Sequence, residues 1–310
     1  MMMNTTQLIK NLERPTGKID VILDTDAYNE IDDQFAIAYM FANLDKLNVK
    51  ALYAAPFYFP RWNDKSESAK DGMERSYDEI LKVLSMIDAS KPVRDQVYKG
   101  SDAFLKDDQT PVESPAAQHL VKIAMEYTAD NPLYVVAIGA ITNIASAILI
   151  NPEIVDRIVV VWLGGHAFHW PDTTEFNMYQ DMPAARVVFT SGVPLVQLPC
   201  HGVVSSFTVT EAELSKWLLG KNDISNYLAS NTIEEVTYAV GKPWARVIWD
   251  VTAIAWLLDG NFLSDRLEKA PIPQDSGHYS HNPNGHFMKY VYHINRDALI
   301  DDLFKKLLTL

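Results

Sequence analysis

The stretch Val21-Ile-Leu-Asp24-Thr-Asp26-Ala-Tyr-Asn-Glu30-Ile-Asp32-Asp33-Gln-Phe-Ala-Ile-Ala38 decides how the chain is read. Its apolar head, Val21 to Leu23, has the composition of a buried strand, and Phe35-Ala-Ile-Ala-Tyr-Met40 opens a helix. Five of the ten residues from Asp24 to Asp33 are acidic, and none is Lys or Arg. Gathered at a strand's carboxyl end, such carboxylates repel and lose hydration, which costs roughly several kcal/mol per ion in a dry site. A solvated loop or a bound cation relieves that cost. The dipole of the coming helix accounts for Asp32 and Asp33, but not for Asp24 and Asp26 opposite them. An all-oxygen donor set of this kind selects a hard cation, Mg²⁺ or Ca²⁺.

Outward from this stretch, strand and helix patterns alternate. A helix is expected near Glu30–Leu44, a strand over Asn48–Ala55, a helix over Ser76–Ile87 and a short strand over Pro92–Tyr98. Leu133–Ile138 reads as a buried strand, followed by the turn Gly139-Ala-Ile-Thr142-Asn143 and a helix to Ile150. Ile158–Leu163 is another strand, ending in Gly164-Gly165; Met182–Ser191 is a helix and Val193–Leu198 a strand. Helices over Thr210–Leu219, Ile224–Val240 and Ile248–Leu258, then a strand over Phe287–Ile294 and a helix over Asp297–Leu308, close the chain. This alternation predicts a single α/β domain with a mostly parallel, Rossmann-like open sheet and helices on both faces, over residues 18–310. Ligands of such sheets sit outside the carboxyl ends of the strands. The acidic loop, Thr142 and the His166–Asp181 loop all fall there.

Composition limits the partners. At 310 residues and 48% hydrophobic the chain buries a sizeable core. A net charge of −13 disfavours nucleic acid and anionic membrane surfaces. The single cysteine, Cys200, allows no internal disulfide. Residues 1–17 read as a polar N-terminal tail without a signal-peptide core, and no run reaches membrane-spanning length. A cytoplasmic protein is expected. The loop Pro56–Asp71 is long enough to be functional. Asp250, inside Trp249-Asp250-Val-Thr-Ala-Ile-Ala-Trp256, reads by itself as an ordinary acid at a helix head.

Taken in order, the pieces resemble the inosine-uridine nucleoside hydrolase family. The matching motifs are Asp24-Thr-Asp26, Asp32-Asp33, Gly139-Ala-Ile-Thr142-Asn143, Gly164-Gly165, Glu175-Phe-Asn177-Met-Tyr-Gln-Asp181 and Trp249-Asp250, across roughly residues 18–260. The resemblance implies a Ca²⁺ ion held by Asp26, Asp33, the Thr142 carbonyl and Asp250. It implies attack by a metal-bound water with Asp26 as general base, and Asp32, Glu175 and Asn177 on the sugar hydroxyls, with Trp249 in the substrate pocket. The implied substrate is a ribonucleoside or related riboside, and the implied assembly a homodimer or homotetramer. Asn143 reads as a turn cap, outside the site.

Departures from the family pattern fall on the side of the leaving base. Ala27-Tyr28-Asn29-Glu30-Ile31 is two residues longer than the family's turn, so that either Tyr28 or Asn29 projects into the site or the loop bulges without consequence. Trp249 stands where the family has a His, and an indole has no proton to give a departing base near neutral pH. His166 and His169, with Tyr28, are the replacement acids the sequence offers. Trp249, Trp170, Phe57, Phe168 and Tyr238 are candidates for an aromatic wall, although core packing is the commoner fate of such residues. Three other readings stay open at this point. They are a hydrolase of another ribosylated or sugar metabolite, a non-catalytic sugar or nucleoside binder that keeps the metal site, and a Mg²⁺ phosphohydrolase using Asp24-Thr-Asp26.

Overall fold

A computed structural model of the chain describes residues 3–58, 65–240, 243–258 and 261–310. Among them are twelve strands: β1 (Ile19–Thr25), β2 (Leu47–Ala54), β3 (Val97–Lys99), β4 (Leu133–Ala137), β5 (Ile158–Leu163), β6 (Leu195–Leu198), β7 (Thr208–Thr210), β8 (Ala245–Val247), β9 (Leu263–Lys269), β10 (Ile272–Gln274), β11 (His278–Ser280) and β12 (Phe287–Ile294). The α-helices are α1 (Thr5–Asn11), α2 (Asp33–Phe41), α3 (Ala69–Ser85), α4 (Pro115–Ala124), α5 (Thr142–Ile150), α6 (Phe176–Gln180), α7 (Met182–Thr190), α8 (Glu211–Trp217), α9 (Asp223–Val240), α10 (Val251–Trp256) and α11 (Arg296–Leu307).

Eight strands form one sheet in the order β3-β2-β1-β4-β5-β6-β12-β9, parallel throughout except for β9, which runs antiparallel to β12 at the edge. Alternate residues of each central strand feed two separate cores. Val21, Leu23, Val136, Val159 and Val161 pack on one face, Ile22, Val135, Ile158, Val160 and Trp162 on the other. Both faces are therefore covered, as continuous apolar strands require. The chain winds one way from β1 to β3 and the other way from β4 to β6, so the strand order reverses between β1 and β4. A crevice opens at the carboxyl ends at such a switch point. The acidic loop leaves β1 there, beside the turn that leaves β4. No helix among the described residues is long and apolar enough to cross a membrane.

Three expectations need correcting. Residues 1–17 are not simply a tail: α1 is capped by the Asn4 side chain, which accepts from the Gln7 amide, and it docks Leu8 and Leu12 into the first core. Gln7 also donates to the Ala129 carbonyl (2.8 Å). The two apolar residues, four apart, make a stripe too short to register as a helix by periodicity. Pro92–Tyr98 is mostly a 3₁₀ helix (Asp88–Gln96), and only Val97 and Tyr98 of it join the sheet, in the edge strand β3; the fixed φ of Pro92 suits the helical turn. Within the Pro56–Asp71 loop, residues 59–64 lie outside the described residues. Phe57 is buried, and the end of the loop is already the first turns of α3.

The docking of α1 has a measurable consequence. Leu12 is fully buried, so Leu12→Ala is expected to destabilise the protein by about 2–5 kcal/mol, the usual cost of a truncated core leucine. Urea denaturation reads this as a lowered midpoint with unchanged slope; an unshifted midpoint would mean that the segment is a tail after all.

Candidate active site

The carboxyl ends of β1 and β4 converge on a narrow cleft of about 120 Å³, at the edge of the sheet where ligands of such folds sit. Asp26, Asp32, Asp33 and Asp250 line it and are almost completely buried. Carboxylate oxygens of Asp32, Asp33 and Asp250 lie within 4.8 Å of one another. Asp32 and Asp250 stand at the N-cap positions of α2 and α10, yet neither side chain caps its helix. Both are thus available to the cleft, and the reading of Asp250 as a mere helix-head acid loses its basis.

The surroundings hold these acids in place. Gln34 Nε2 donates to the carbonyls of Ala27 (2.7 Å) and Glu30 (3.2 Å), which fixes the lengthened turn. Arg246 of β8 clamps the same turn through an ion pair with Glu30. Asn29 and Glu30 line the cleft; Tyr28 does not, its ring lying on the outside with the Arg75 guanidinium 5.6 Å from its centroid. Thr25 donates its hydroxyl to Asp33. A Cβ on Gly139 would come within 2.8 Å of the Asp26 carboxylate, so only glycine lets the β4 turn approach this closely. Asn143 does far more than cap a turn: it donates to Asp24 (2.7 Å) and to the Ala54 carbonyl (3.3 Å), and accepts from the amide (2.7 Å) and hydroxyl (2.9 Å) of Ser101. It ties together the ends of β1 and β2 and the turn after β3.

Electrostatics set these acids apart from surface carboxylates. Burial, moderated by the Asn143 hydrogen bond, lifts Asp24 to about 7. Burial and the Glu30 charge lift Asp32 to about 7, against the pull of Arg246. Asp26 is pushed well above the ordinary carboxylate range by burial and then by Asp33. Asp33 and Asp250 are pushed up likewise, by burial first and by Asp32 next. One oxygen each of Asp24 and Asp26 and both of Asp32 are buried without a hydrogen-bond partner. Native proteins rarely leave such atoms unsatisfied.

Glu175 and Asn177 also reach the cleft. Glu175 accepts from the amides of Gly165 (2.8 Å), Asn177 (2.9 Å) and Met178 (3.0 Å), capping α6 and binding it to the Gly164-Gly165 turn. Asn177 donates to the carbonyls of Ile138 (3.0 Å) and Leu163 (3.1 Å), bridging the ends of β4 and β5. Asp181, the last residue of that motif, is structural: it caps α7 and accepts from Thr142 Oγ1 (2.7 Å) and the Leu105 amide (2.9 Å).

Thr142 is not brought to the cleft. It is the first residue of α5, and carbonyls in a helix point along the axis toward its C-terminus, away from the sheet edge. The residue of this turn that lines the cleft is Ile138.

The proposed aromatic wall is only partly there. Trp249 lines the cleft, Phe57 is core, Phe168 stacks on Tyr290 (4.3 Å), and Tyr238 is 95% exposed on α9. His169 is exposed and does not line the cleft. His166 does, but burial and the neighbouring His201 push it down to about 4, outweighing Asp172. His201 and Cys200 were missed by the sequence reading. Both follow β6 directly, and their place at a strand's carboxyl end is the signal that could have found them.

A family model described as inosine-uridine preferring nucleoside hydrolase matches residues 21–299. The pyrimidine-specific ribonucleoside hydrolase RihB of Escherichia coli O1:K1 / APEC is 29% identical over 170 residues, 51% of this chain and 53% of that protein. The match spans about half the length of this curated relative. A plant nucleoside hydrolase superposes with a TM-score of 0.73 at 19% identity, over 96% of this chain and 100% of that one. The purine-preferring ribonucleoside hydrolase from Gardnerella vaginalis gives 0.72 at 18% identity, over 94% and 98%. At such identities the two structures support the fold; the family match, running from β1 into α11, carries more. By that match the chain belongs to the inosine-uridine preferring nucleoside hydrolase family.

Proposed function

We propose that the protein is a Ca²⁺-dependent hydrolase of the N-glycosidic bond of a ribonucleoside or a related riboside. The observation that carries this reading is the set of buried, unpartnered carboxylate oxygens on Asp26 and Asp32, in one cleft with Asp33 and Asp250. Such a set is strongly destabilising with its charges uncompensated and well suited to a hard divalent cation. Asp26, Asp33 and Asp250 would hold the ion with Asp32 beside them, and the main-chain carbonyl we assign to the set is that of Ile138 rather than Thr142. That carbonyl already accepts from Asn177 and has a second lone pair. When bound, the cation neutralises the cluster and acidifies the attacking water.

The chain's own residues do the rest. Asp26 takes the proton of the attacking water; its burial keeps it more basic than a surface aspartate, as a general base near neutral pH requires. Asp32, Glu175 and the amide oxygen of Asn177 receive the ribose hydroxyls. The internal hydrogen bonds of the last two fix where those contacts fall. Trp249 walls the leaving-group side. RihB is named as pyrimidine-specific and the Gardnerella vaginalis enzyme as purine-preferring; ribonucleosides of both classes are the first substrates to try, and the rewritten base side leaves room for another riboside. A homodimer or homotetramer in the cytoplasm fits the family.

Calorimetry is expected to show one Ca²⁺ bound per chain, with binding abolished in Asp33→Ala and in Asp250→Ala; unchanged affinity in both variants would remove the site.

The raised carboxylates also predict a pH signature. A group whose pKa is higher folded than unfolded stabilises the fold below its unfolded value near 4, and that contribution is lost as pH rises through the folded value, about 7 for Asp24 and Asp32. In chelator the melting temperature should therefore fall between pH 5 and pH 8. The stabilisation by Ca²⁺ should grow over the same interval, because the cation needs the ionised forms. A Ca²⁺ shift equal at both pH values contradicts the assignment.

For the chemistry, Asp26→Asn should lower turnover of inosine or uridine by about 10²–10⁴-fold, the usual general-base contribution, while a ribose-like inhibitor still binds. A wild-type protein that binds ribosides and hydrolyses none of a broad panel would instead be a binder.

A further inference from the structure

We infer that His201 is the residue that protonates the departing base in this chain. The inference rests on the hydrolase reading above and adds the acid that the motif series lacks at Trp249.

His201 lies three residues beyond the end of β6, on the same carboxyl edge as the acids, and lines the cleft with Trp249 and Asp250. Its ring is held between aromatic neighbours. It stacks on Trp170 (centroids 5.4 Å apart, planes at 18°) and meets Trp249 edge to face (5.5 Å, 89°). Its own backbone N–H donates to His166 Nδ1 (3.3 Å), and the two imidazoles are 4.7 Å apart. These contacts orient an imidazole at the mouth of the site while leaving it exposed to solvent, from which a spent acid recovers its proton.

The other acids fail on geometry or chemistry. Trp249 has only an indole N–H. Tyr28 and His169 do not line the cleft. His166 lines it, but it is buried, and its Nδ1 already serves as acceptor for the loop that carries His201. Burial there favours the neutral ring, which agrees with that acceptor role.

The step balances as follows. The C1′–N bond breaks, and its electron pair goes to the base, which receives a proton from the His201 imidazolium. Water adds its oxygen to C1′ and gives its proton to Asp26. Riboside and water become ribose and free base; Asp26 and His201 return to their starting states through solvent. Trp249 lines the cleft beside the donor and gives the base an aromatic neighbour.

The test compares kcat/KM for inosine and uridine with that for a 4-nitrophenyl riboside, whose leaving group needs no proton. Wild type, His201→Gln, His201→Ala and His169→Gln are assayed with saturating Ca²⁺, each checked for folding by circular dichroism and for Ca²⁺ binding by calorimetry. Both His201 variants should lose about 10²–10⁴-fold on the nucleosides and stay close to wild type on the nitrophenyl riboside, and His169→Gln should leave both unchanged. Equal losses on all three substrates, or no loss on the nucleosides, overturns the role given to His201 while the hydrolase reading stands. A wild type inert toward the nitrophenyl riboside as well as the nucleosides overturns the hydrolase reading, and this inference with it.

Discussion

Mutual repulsion among buried carboxylates is the constraint around which the molecule is arranged. Asp24, Asp26, Asp32, Asp33 and Asp250 come from the end of one strand and the heads of two helices, and all are shielded from water. Left ionised and uncompensated, each costs roughly several kcal/mol of lost hydration. The fold supplies some relief through Asn143, Thr25 and the Arg246–Glu30 clamp. Helix dipoles add a little at α2 and α10. None of these reaches the orphaned oxygens of Asp26 and Asp32. The sheet topology makes the arrangement possible: only where the winding reverses, between β1 and β4, do the strand ends part widely enough to admit both the acids and a ligand.

The two sides of the cleft are built differently. The acid side rests on short, tightly bonded turns: Gly139 against Asp26, Asn177 across β4 and β5, and Glu175 on three backbone amides. A shift of any one of these moves a group that lines the cleft. The other side is made of rings from the loops after β5 and β6 and from the turn before α10, held by stacking and edge contacts. Aromatic contacts tolerate exchange of one ring for another far better than a carboxylate cage tolerates loss of a charge. That difference accounts for the departures around Trp249 and the His166–Asp172 segment; on the acid side the lengthened Ala27–Ile31 turn changes the spacing between the acids and leaves the acids themselves in place.

What the sequence made legible follows the same division. Strand β5 and strand β12 fall where the apolar runs put them, and the two-faced sheet follows from their unbroken burial. The acidic cluster was visible because charge without countercharge is a property of composition. Thr142 misled because the expected ligand was a main-chain carbonyl, and every residue has one: only the path of the chain, turning into α5 at Thr142, decides that Ile138 faces the cleft. His201 escaped for a related reason. A lone histidine beside Cys200 has no pattern of its own, and its meaning comes from Trp170, 31 residues earlier, and Trp249, 48 residues later. Helix α1 carries too few apolar residues for a periodic signal, and its place is set by docking.

In the function proposed above, cation and catalytic base are not separable parts. Burial and the Asp33 charge raise the proton affinity of Asp26, and a protonated carboxyl cannot take a proton from water. A divalent ion held by these acids would oppose that shift, because its two positive charges attract the ionised carboxylate at close range. In that proposal, loading the metal would neutralise the cluster and switch on the base in one event. The buried, charge-dense arrangement that strains the fold is the one the proposed chemistry needs.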